Sequence, residues 1–154
     1  MQVRILAIAK KSRGWAASAE VDFLKRLKNF AKIKIELIPP VDENSLKIQK
    51  VKKIEAQKIL AKIADGEFII ACERQGRDFD SPDFAKKLLE LRDASQKICF
   101  VIGGSHGLGG EVWRRANLQI SFSKLTFPHE LFRILLLEQI YRAFTILANR
   151  KYHK

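Results

Sequence analysis

The sequence predicts a single α/β domain with a mostly parallel β-sheet flanked by helices. Five short apolar segments rich in β-branched residues alternate with five segments of helical periodicity, a pattern typical of parallel strands joined by helices. The chain has 154 residues, 47% of them hydrophobic, which is enough for one substantial core. No internal repeat or low-complexity linker divides it. We therefore expect residues 1–154 to form one domain.

The first half of the chain predicts two strands, each followed by a helix. Residues 2–9 (QVRILAIA) are apolar enough for a central strand, and residues 33–38 (IKIELI) alternate like a strand with a more polar face. Residues 18–32 carry apolar side chains at a spacing of three, which predicts an amphipathic helix. Ser45 can cap a second, lysine-rich helix over residues 46–64. A lysine-rich helix face is compatible with two interpretations: contact with phosphates, or a face that only contacts solvent.

The third and fourth strands are predicted on either side of a third helix. Residues 67–73 (EFIIACE) and 97–102 (KICFVI) are apolar runs bounded by polar segments, as buried strands are. Residues 74–80 (RQGRDFD) predict a loop. The third helix is expected over residues 81–94, because Ser81 can cap it and a proline and an acidic residue follow in the first turn.

The last third of the chain predicts a fifth strand and a long final helix. The strand covers residues 118–122, and the helix follows Pro128. One loop, residues 103–110, follows the fourth strand, and another, residues 123–127, follows the fifth. Ligands in open α/β sheets bind outside the carboxyl ends of the strands. We therefore expect both loops to belong to one site.

The loop over residues 103–110 contains five of the eight glycines in the chain. It does not match the Walker A pattern, because it has no lysine. It does not match the dinucleotide fingerprint either, because its glycine spacing differs and it follows the fourth strand rather than the first. The composition predicts a backbone that turns tightly and lies close to a ligand, with a purely structural turn as the alternative.

The charge of the chain points to a polyanionic partner. Lys and Arg number 29 against 17 Asp and Glu, which gives a formal net charge of +12. A bias of this size predicts binding to nucleic acid, with basic helices that only aid solubility as the alternative.

Several other classes of protein do not fit the sequence. No apolar run is long enough to cross a membrane, and the N-terminus predicts a strand rather than a signal peptide. Cys72 and Cys99 lie in apolar strands, so we expect reduced core thiols in a cytoplasmic protein. A metal site is not expected, because no Cys/His cluster has the spacing of metal ligands.

Three stretches resemble a known family. The runs FVIGGSHGLGGEV and SFSKLTFPHELFRILLLEQIYRA and the ending NRKYHK are similar to the RlmH family of SPOUT methyltransferases, and the similarity extends over the whole chain. Members of that family methylate N3 of a pseudouridine in 23S rRNA. The resemblance implies S-adenosyl-L-methionine as methyl donor, a trefoil knot in the C-terminal half, a homodimer, and the ribosome as partner.

The resemblance also implies the residues that hold the adenosine part of the cofactor. They lie in three loops that match the family position by position: Cys72, Gly103, Gly104, Ser123, Lys124, Leu125, Thr126, Phe127 and Pro128. Two departures from the family pattern occur. Cys72 stands where leucine is common, and Ser105 and His106 stand where Pro-Glu is common.

The expected chemistry needs a positioned donor and acceptor and the management of one proton. Methyl transfer from a sulfonium is an in-line displacement, and N3 of pseudouridine must lose its proton. The candidate catalytic residues are His129, Arg142, Tyr152 and His153. At a helix N-terminus, His129 would tend to stay neutral, and a capping or packing role is equally compatible with its position. Glu138 is expected to pair with Arg142 one helical turn away, and the general base stays unassigned.

Two other functions remain open at this point. A non-catalytic RNA- or ribosome-binding factor could keep the same fold without binding the cofactor. A small-nucleotide-binding enzyme unrelated to methylation would bind ATP or NAD in the same loops.

Overall fold

Strands and helices alternate strictly along the chain, as predicted. A computed structural model describes residues 1–42 and 46–153. The elements are β1 (Gln2–Ile8), α1 (Gly14–Leu27), β2 (Lys32–Ile38), α2 (Ile48–Leu60), β3 (Glu67–Asp78), α3 (Ser81–Asp93), β4 (Lys97–Ile102), α4 (Gly110–Arg115), β5 (Leu118–Ser121) and α5 (His129–Leu147).

The five strands form one parallel sheet in the order β2-β1-β4-β3-β5. β4 lies between β1 and β3, with Val3 paired to Ile98 and Cys72 paired to Ile102. Because all strands point the same way, their carboxyl ends meet at one edge. The predicted parallel sheet is therefore confirmed, and the loops that follow β3, β4 and β5 become neighbours.

Both faces of the sheet are covered by helices, which explains why the strands are nearly continuous apolar runs. One face packs against α1, α3 and α5 and buries side chains such as Ile5, Phe100 and Leu137. The other packs against α2 and α4 and buries Leu6 and Ile59. Burial of each such side chain stabilises the fold by about 1.5–3 kcal/mol.

A buried arginine fixes the position of the last helix. Arg133 of α5 is 0% exposed, and its Nε donates a hydrogen bond of 2.7 Å to Oε1 of Glu20 in α1. Its Nη2 donates to Oγ of Ser12, in the segment before α1. A charge this deeply buried is tolerated only with such partners. The Arg133–Glu20 ion pair holds α5 against α1. It therefore also fixes the position of the turn of α5 that borders the candidate site.

The first two helices are shorter than predicted. α1 begins at Gly14, four residues before the predicted start, and ends at Leu27. Trp15 lies in its first turn and is 66% exposed. α2 begins at Ile48, and the predicted cap, Ser45, lies outside the described residues. The spacing of apolar residues misplaced the start of α1, and its cap residue, Arg13, makes no side-chain hydrogen bond that would mark the start in the sequence.

The predicted loop over residues 74–80 is mostly strand. β3 continues through a bulge, since Cys72 and Arg77 both pair with Ile120 of β5. Gly76 makes this possible, because a Cβ there would lie 2.5 Å from the Ile120 carbonyl carbon.

The cap of α3 also differs from the prediction. The Asp80 carboxylate, not Ser81, accepts the hydrogen bond of 2.7 Å from the Asp83 backbone N–H.

Candidate active site

A cleft of about 300 Å³ opens at the carboxyl edge of the sheet. Three segments form it: the end of β3, the glycine loop after β4, and the β5–α5 connection with the first turn of α5. Its size is at the lower end of the range for small-molecule sites. The expectation that both loops lie at one site agrees with this geometry.

Most residues predicted to bind the cofactor surround this cleft. Seven of the nine line it, namely Cys72, Gly103, Gly104, Ser123, Leu125, Thr126 and Phe127. Lys124 and Pro128 do not. Nζ of Lys124 instead donates a hydrogen bond of 3.0 Å to the Arg74 carbonyl, and Pro128 occupies the cap position of α5. Cofactor binding by any of the nine stays a prediction.

The glycine loop begins with a tight turn. The Gly107 N–H donates a hydrogen bond of 2.9 Å to the Gly104 carbonyl, so Ser105 and His106 form the corners of the turn. Gly107 has a φ of +79°, a backbone conformation that residues other than glycine rarely adopt. A Cβ on Gly103 would lie 2.6 Å from the Gly107 carbonyl carbon. The loop therefore folds back on itself without room for side chains at these positions.

The backbone of Gly104 lines the cleft, but a side chain at this position would point toward a buried carboxylate. A Cβ there would lie 2.5 Å from Oε2 of Glu55 and 3.0 Å from Cγ2 of Ile8. Glu55 is 3% exposed, and its Oε1 accepts a hydrogen bond of 3.1 Å from the Val41 N–H. Space for a ligand is thus not what excludes a side chain at Gly104. The side chains of Glu55 in α2 and Ile8 in β1 occupy the space that a side chain at Gly104 would need.

Several residues that line the cleft are not among those predicted from the sequence. Glu73 and Arg74 lie at its edge, because β3 ends its pairing with β4 just before them. Phe122 and Phe132 provide apolar walls. The rule that sites form at the carboxyl ends of strands could have identified Glu73, the last residue of the predicted third strand. No comparable pattern marked the two phenylalanines.

The candidate catalytic residues lie at opposite ends of α5. His129 is the first residue of the helix and lines the cleft. Arg142 lies thirteen residues further along α5, which corresponds to about 20 Å of helix. Tyr152 contacts that far end, and His153 is exposed beyond it. One copy of the chain therefore brings only His129 to the cleft.

Glu138 connects two of the remaining candidates. Its Oε1 accepts a hydrogen bond of 2.6 Å from Nη2 of Arg142, which confirms the predicted ion pair. The same oxygen accepts a hydrogen bond of 3.1 Å from the Tyr152 hydroxyl. Cζ of Arg142 also lies 4.9 Å from the centre of the Tyr152 ring. Burial raises the pKa of Tyr152, and the Glu138 carboxylate raises it further, so the hydroxyl stays a donor at neutral pH.

Three features of the described residues bear on the classes of protein that the sequence disfavours. No group of His, Cys, Asp or Glu within 1–42 and 46–153 is arranged to hold a metal ion. Among the helices of that same part of the chain, none has the length and apolar character to span a bilayer. Cys72 and Cys99 are both free and buried.

Comparisons with known proteins identify similar chains of the same length. A family model described as "Predicted SPOUT methyltransferase" matches residues 1–153. A ribosomal RNA large subunit methyltransferase H from Caldicellulosiruptor bescii is 42% identical over 153 residues, 99% of each chain. A protein of the same name from Ligilactobacillus salivarius is 40% identical over 159 aligned positions, 100% of each chain. A solved methylase family protein from Neisseria gonorrhoeae aligns over 99% of this chain and 95% of its own, with 12% identity and a TM-score of 0.48.

Proposed function

The chain belongs to the SPOUT methyltransferase family, and from that premise we propose that it methylates N3 of a pseudouridine in 23S rRNA with S-adenosyl-L-methionine as donor. The observation that supports this most strongly is full-length similarity to large subunit rRNA methyltransferases, combined with a cleft built from the three loops that the resemblance implies. The family also implies the C-terminal trefoil knot.

The residues of the cleft fit the proposed donor. An adenosine needs apolar walls and backbone hydrogen-bonding groups, and the cleft offers Phe122, Phe127 and Ile102 beside the backbone of the glycine loop. When bound, S-adenosyl-L-methionine supplies a methyl group already activated by its sulfonium. The chain's own task is to hold donor and acceptor in line and to exclude competing orientations.

Of the four candidate catalytic residues, His129 is the one that lines the cleft of its own chain and can assist proton removal there. It is the first residue of α5, at the helix N-terminus. A neutral imidazole can accept a hydrogen bond from the N3 proton of pseudouridine or orient the ring beside it.

A two-fold dimer completes the proposed site. None of Arg142, Tyr152 and His153 lines the cleft of its own chain, and Arg142 lies about 20 Å along α5 from His129. In a two-fold dimer, the two subunits make the same contacts with each other. The far end of α5 and the tail of each subunit can therefore complete the cleft of its partner. A ring next to cations, as in this tail, suits stacking on a base beside phosphate.

The ribosome is the proposed substrate, and the cytoplasm is therefore the proposed location. The net charge of +12 suits contact with rRNA phosphates. We expect the enzyme to recognise a preformed ribosomal surface.

The direct test incubates ribosomes with the protein and S-adenosyl-L-methionine carrying an isotopically labelled methyl group. Mass spectrometry of the rRNA should locate the label on one pseudouridine of 23S rRNA. An absence of labelled rRNA from ribosomes that lack the modification would contradict the proposal.

Calorimetry separates the alternatives. S-adenosylhomocysteine should bind at one site per subunit, and ATP or NAD should fail to compete. A non-catalytic ribosome-binding factor would give no binding of S-adenosylhomocysteine, and a different nucleotide enzyme would bind ATP or NAD.

A further inference from the structure

The bulge in β3 lies between the two loops of the cleft. Cys72 and Arg77 both pair with Ile120, so residues 73–76 stand outside the ladder of hydrogen bonds. Because β3 lies between β4 and β5 in the sheet, the glycine loop after β4 lies on one side of this segment, and the loop over residues 123–127 after β5 lies on the other. We call residues 73–76 the β3 bulge.

The Glu73 side chain binds the glycine loop. Its Oε2 accepts a hydrogen bond of 3.1 Å from the Leu108 N–H, and its Oε1 accepts one of 3.0 Å from the Arg74 N–H. A Cβ on Gly107 would lie 2.8 Å from Oε2 of Glu73. The carboxylate therefore occupies the space that a side chain at Gly107 would need, and both of its oxygens accept from backbone donors.

The next residue binds the opposite loop. Nη1 of Arg74 donates a hydrogen bond of 3.4 Å to Oγ1 of Thr126. The Arg74 carbonyl accepts one of 3.0 Å from Nζ of Lys124. Two adjacent residues of one strand thus hold the two loops that face each other across the cleft.

We propose that the β3 bulge sets the width of the donor cleft, and that Glu73 is the positioning residue for the glycine loop. The inference rests on the proposed function, since it takes the methyl donor to be the ligand of this cleft. A carboxylate suits the role because it only accepts hydrogen bonds. An amide at the same place would turn an NH₂ group toward one of the two backbone donors.

The test is Glu73→Gln in the full-length protein. Hydrogen exchange at the Leu108 amide should become faster, because that N–H loses its charged acceptor. The affinity for S-adenosylhomocysteine should fall by about tenfold, the size expected for one hydrogen bond to a charged group. KM for the methyl donor should rise while KM for ribosomes stays the same, a split that general destabilisation would not produce.

The matched control is Glu111→Gln. Glu111 is an exposed glutamate in α4, just past the glycine loop, and does not line the cleft. It undergoes the same change of charge, so donor affinity and Leu108 exchange should both stay at the wild-type level.

Two results would overturn the inference. One is wild-type donor affinity together with wild-type Leu108 exchange in folded Glu73→Gln. The other applies if that variant does not fold: Glu73→Asp keeps the charge but shortens the reach, and wild-type affinity and exchange there would also refute the positioning role. Wild-type protein that binds S-adenosylhomocysteine but labels no rRNA would instead contradict the proposed function and leave this inference standing.

Discussion

At the scale of single residues, Gly104 must be a glycine because the Glu55 carboxylate packs directly behind it. Gly104→Val would place its Cβ at 2.5 Å from Oε2 of Glu55, so either the carboxylate or the loop must move. We expect a loss of about 1–3 kcal/mol in the free energy of unfolding, as for other overpacked sites, and a clear loss of affinity for S-adenosylhomocysteine. Urea denaturation and calorimetry measure the two effects.

Gly110→Ala is the control for this prediction. A Cβ there meets only the tip of the Arg114 side chain, at 3.3 Å, so little change is expected. If the collision with Glu55 is the cause, Glu55→Ala combined with Gly104→Val should recover part of the affinity. A stable Gly104→Val protein with wild-type affinity would contradict this explanation.

The two thiols predict a dependence of stability on alkaline pH. Burial raises the pKa of Cys99 from its ordinary value of 9.0 to about 11, and burial also raises the pKa of Cys72. A folded-state pKa above the unfolded value means that the unfolded chain releases protons first as the pH rises. The contribution of the protonated thiols to the free energy of unfolding is therefore complete below pH 9 and is lost progressively above it.

Urea denaturation at pH 7.5 and at pH 10 measures this effect. The contribution from Cys99 should fall by at most about 2–3 kcal/mol between its two pKa values. The decline should be shallower in Cys99→Ala than in the wild type. A thiol reagent at pH 7.5 should not modify Cys99 until the protein unfolds, and rapid labelling of Cys99 in the native protein would refute the assignment.

At the scale of elements, Tyr152 packs the tail against α5. The Tyr152 ring packs edge-on against Tyr141 at a centroid distance of 4.9 Å, and its hydroxyl reaches Glu138. Deletion of residues 151–154 should leave the fold and most of the donor affinity intact, because these residues add little to the core. Methylation of ribosomes should be lost, because the proposed stacking surface and its cations are gone.

Two substitutions separate the ring from its hydroxyl. Tyr152→Ala removes a stacking surface worth roughly 1–3 kcal/mol per base, so activity should fall strongly. Tyr152→Phe keeps the ring and loses only the hydrogen bond to Glu138, so its loss of activity should be smaller. Equal losses in the two variants would assign the effect to the hydroxyl and contradict stacking.

The elements that sequence predicted best are those with strong apolar periodicity. β4 was predicted at its observed bounds, and β1 and β2 to within one residue, since β1 and β4 are mostly apolar runs and β2 alternates between apolar and polar residues. The bulge in β3 was not predictable, because it depends on the approach of Gly76 to Ile120, a partner far away in the sequence.

The site was predictable only in part. Strand-end reasoning located the two loops, and the resemblance supplied the nine candidate residues. Neither could reveal that Lys124 is held by the Arg74 carbonyl, or that Glu73 binds Leu108. Those contacts depend on the tertiary placement of β3 beside both loops, which no local pattern encodes.

At the scale of the whole molecule, the charge predicts salt-sensitive binding to ribosomes. The net charge of +12 implies phosphate contacts that release counterions, so affinity should fall steeply between 50 and 200 mM salt. Sedimentation of ribosomes with the protein at a series of salt concentrations gives the slope. Binding that stays constant over that range would mean that the basic surface is only solvated.

Lysine variants in α2 extend this measurement. Lys50 and Lys53 are exposed there. If either contacts a phosphate, its replacement by Gln should reduce the salt slope by about one, whereas a solvated lysine should leave the slope unchanged.

A mixed dimer tests whether the active site is shared. One subunit carries Gly104→Val and the other carries Tyr152→Ala. If each site uses the cleft of one subunit and the tail of its partner, one site keeps both intact parts and the other loses both. Activity should then return to about half of the wild-type value per dimer. Activity no higher than that of the two mutant homodimers mixed together would show that each tail serves its own subunit.

The central position of β4 has a consequence for how the enzyme is made. Val3 pairs with Ile98, so the middle of the sheet cannot close until most of the chain has been synthesised. Such high contact order slows folding, and translation delivers only about 5–20 residues per second. The cleft needs residues up to Phe132 as well, so a nascent chain cannot hold the methyl donor. An enzyme that modifies ribosomes is therefore inactive for as long as it is still being assembled on one.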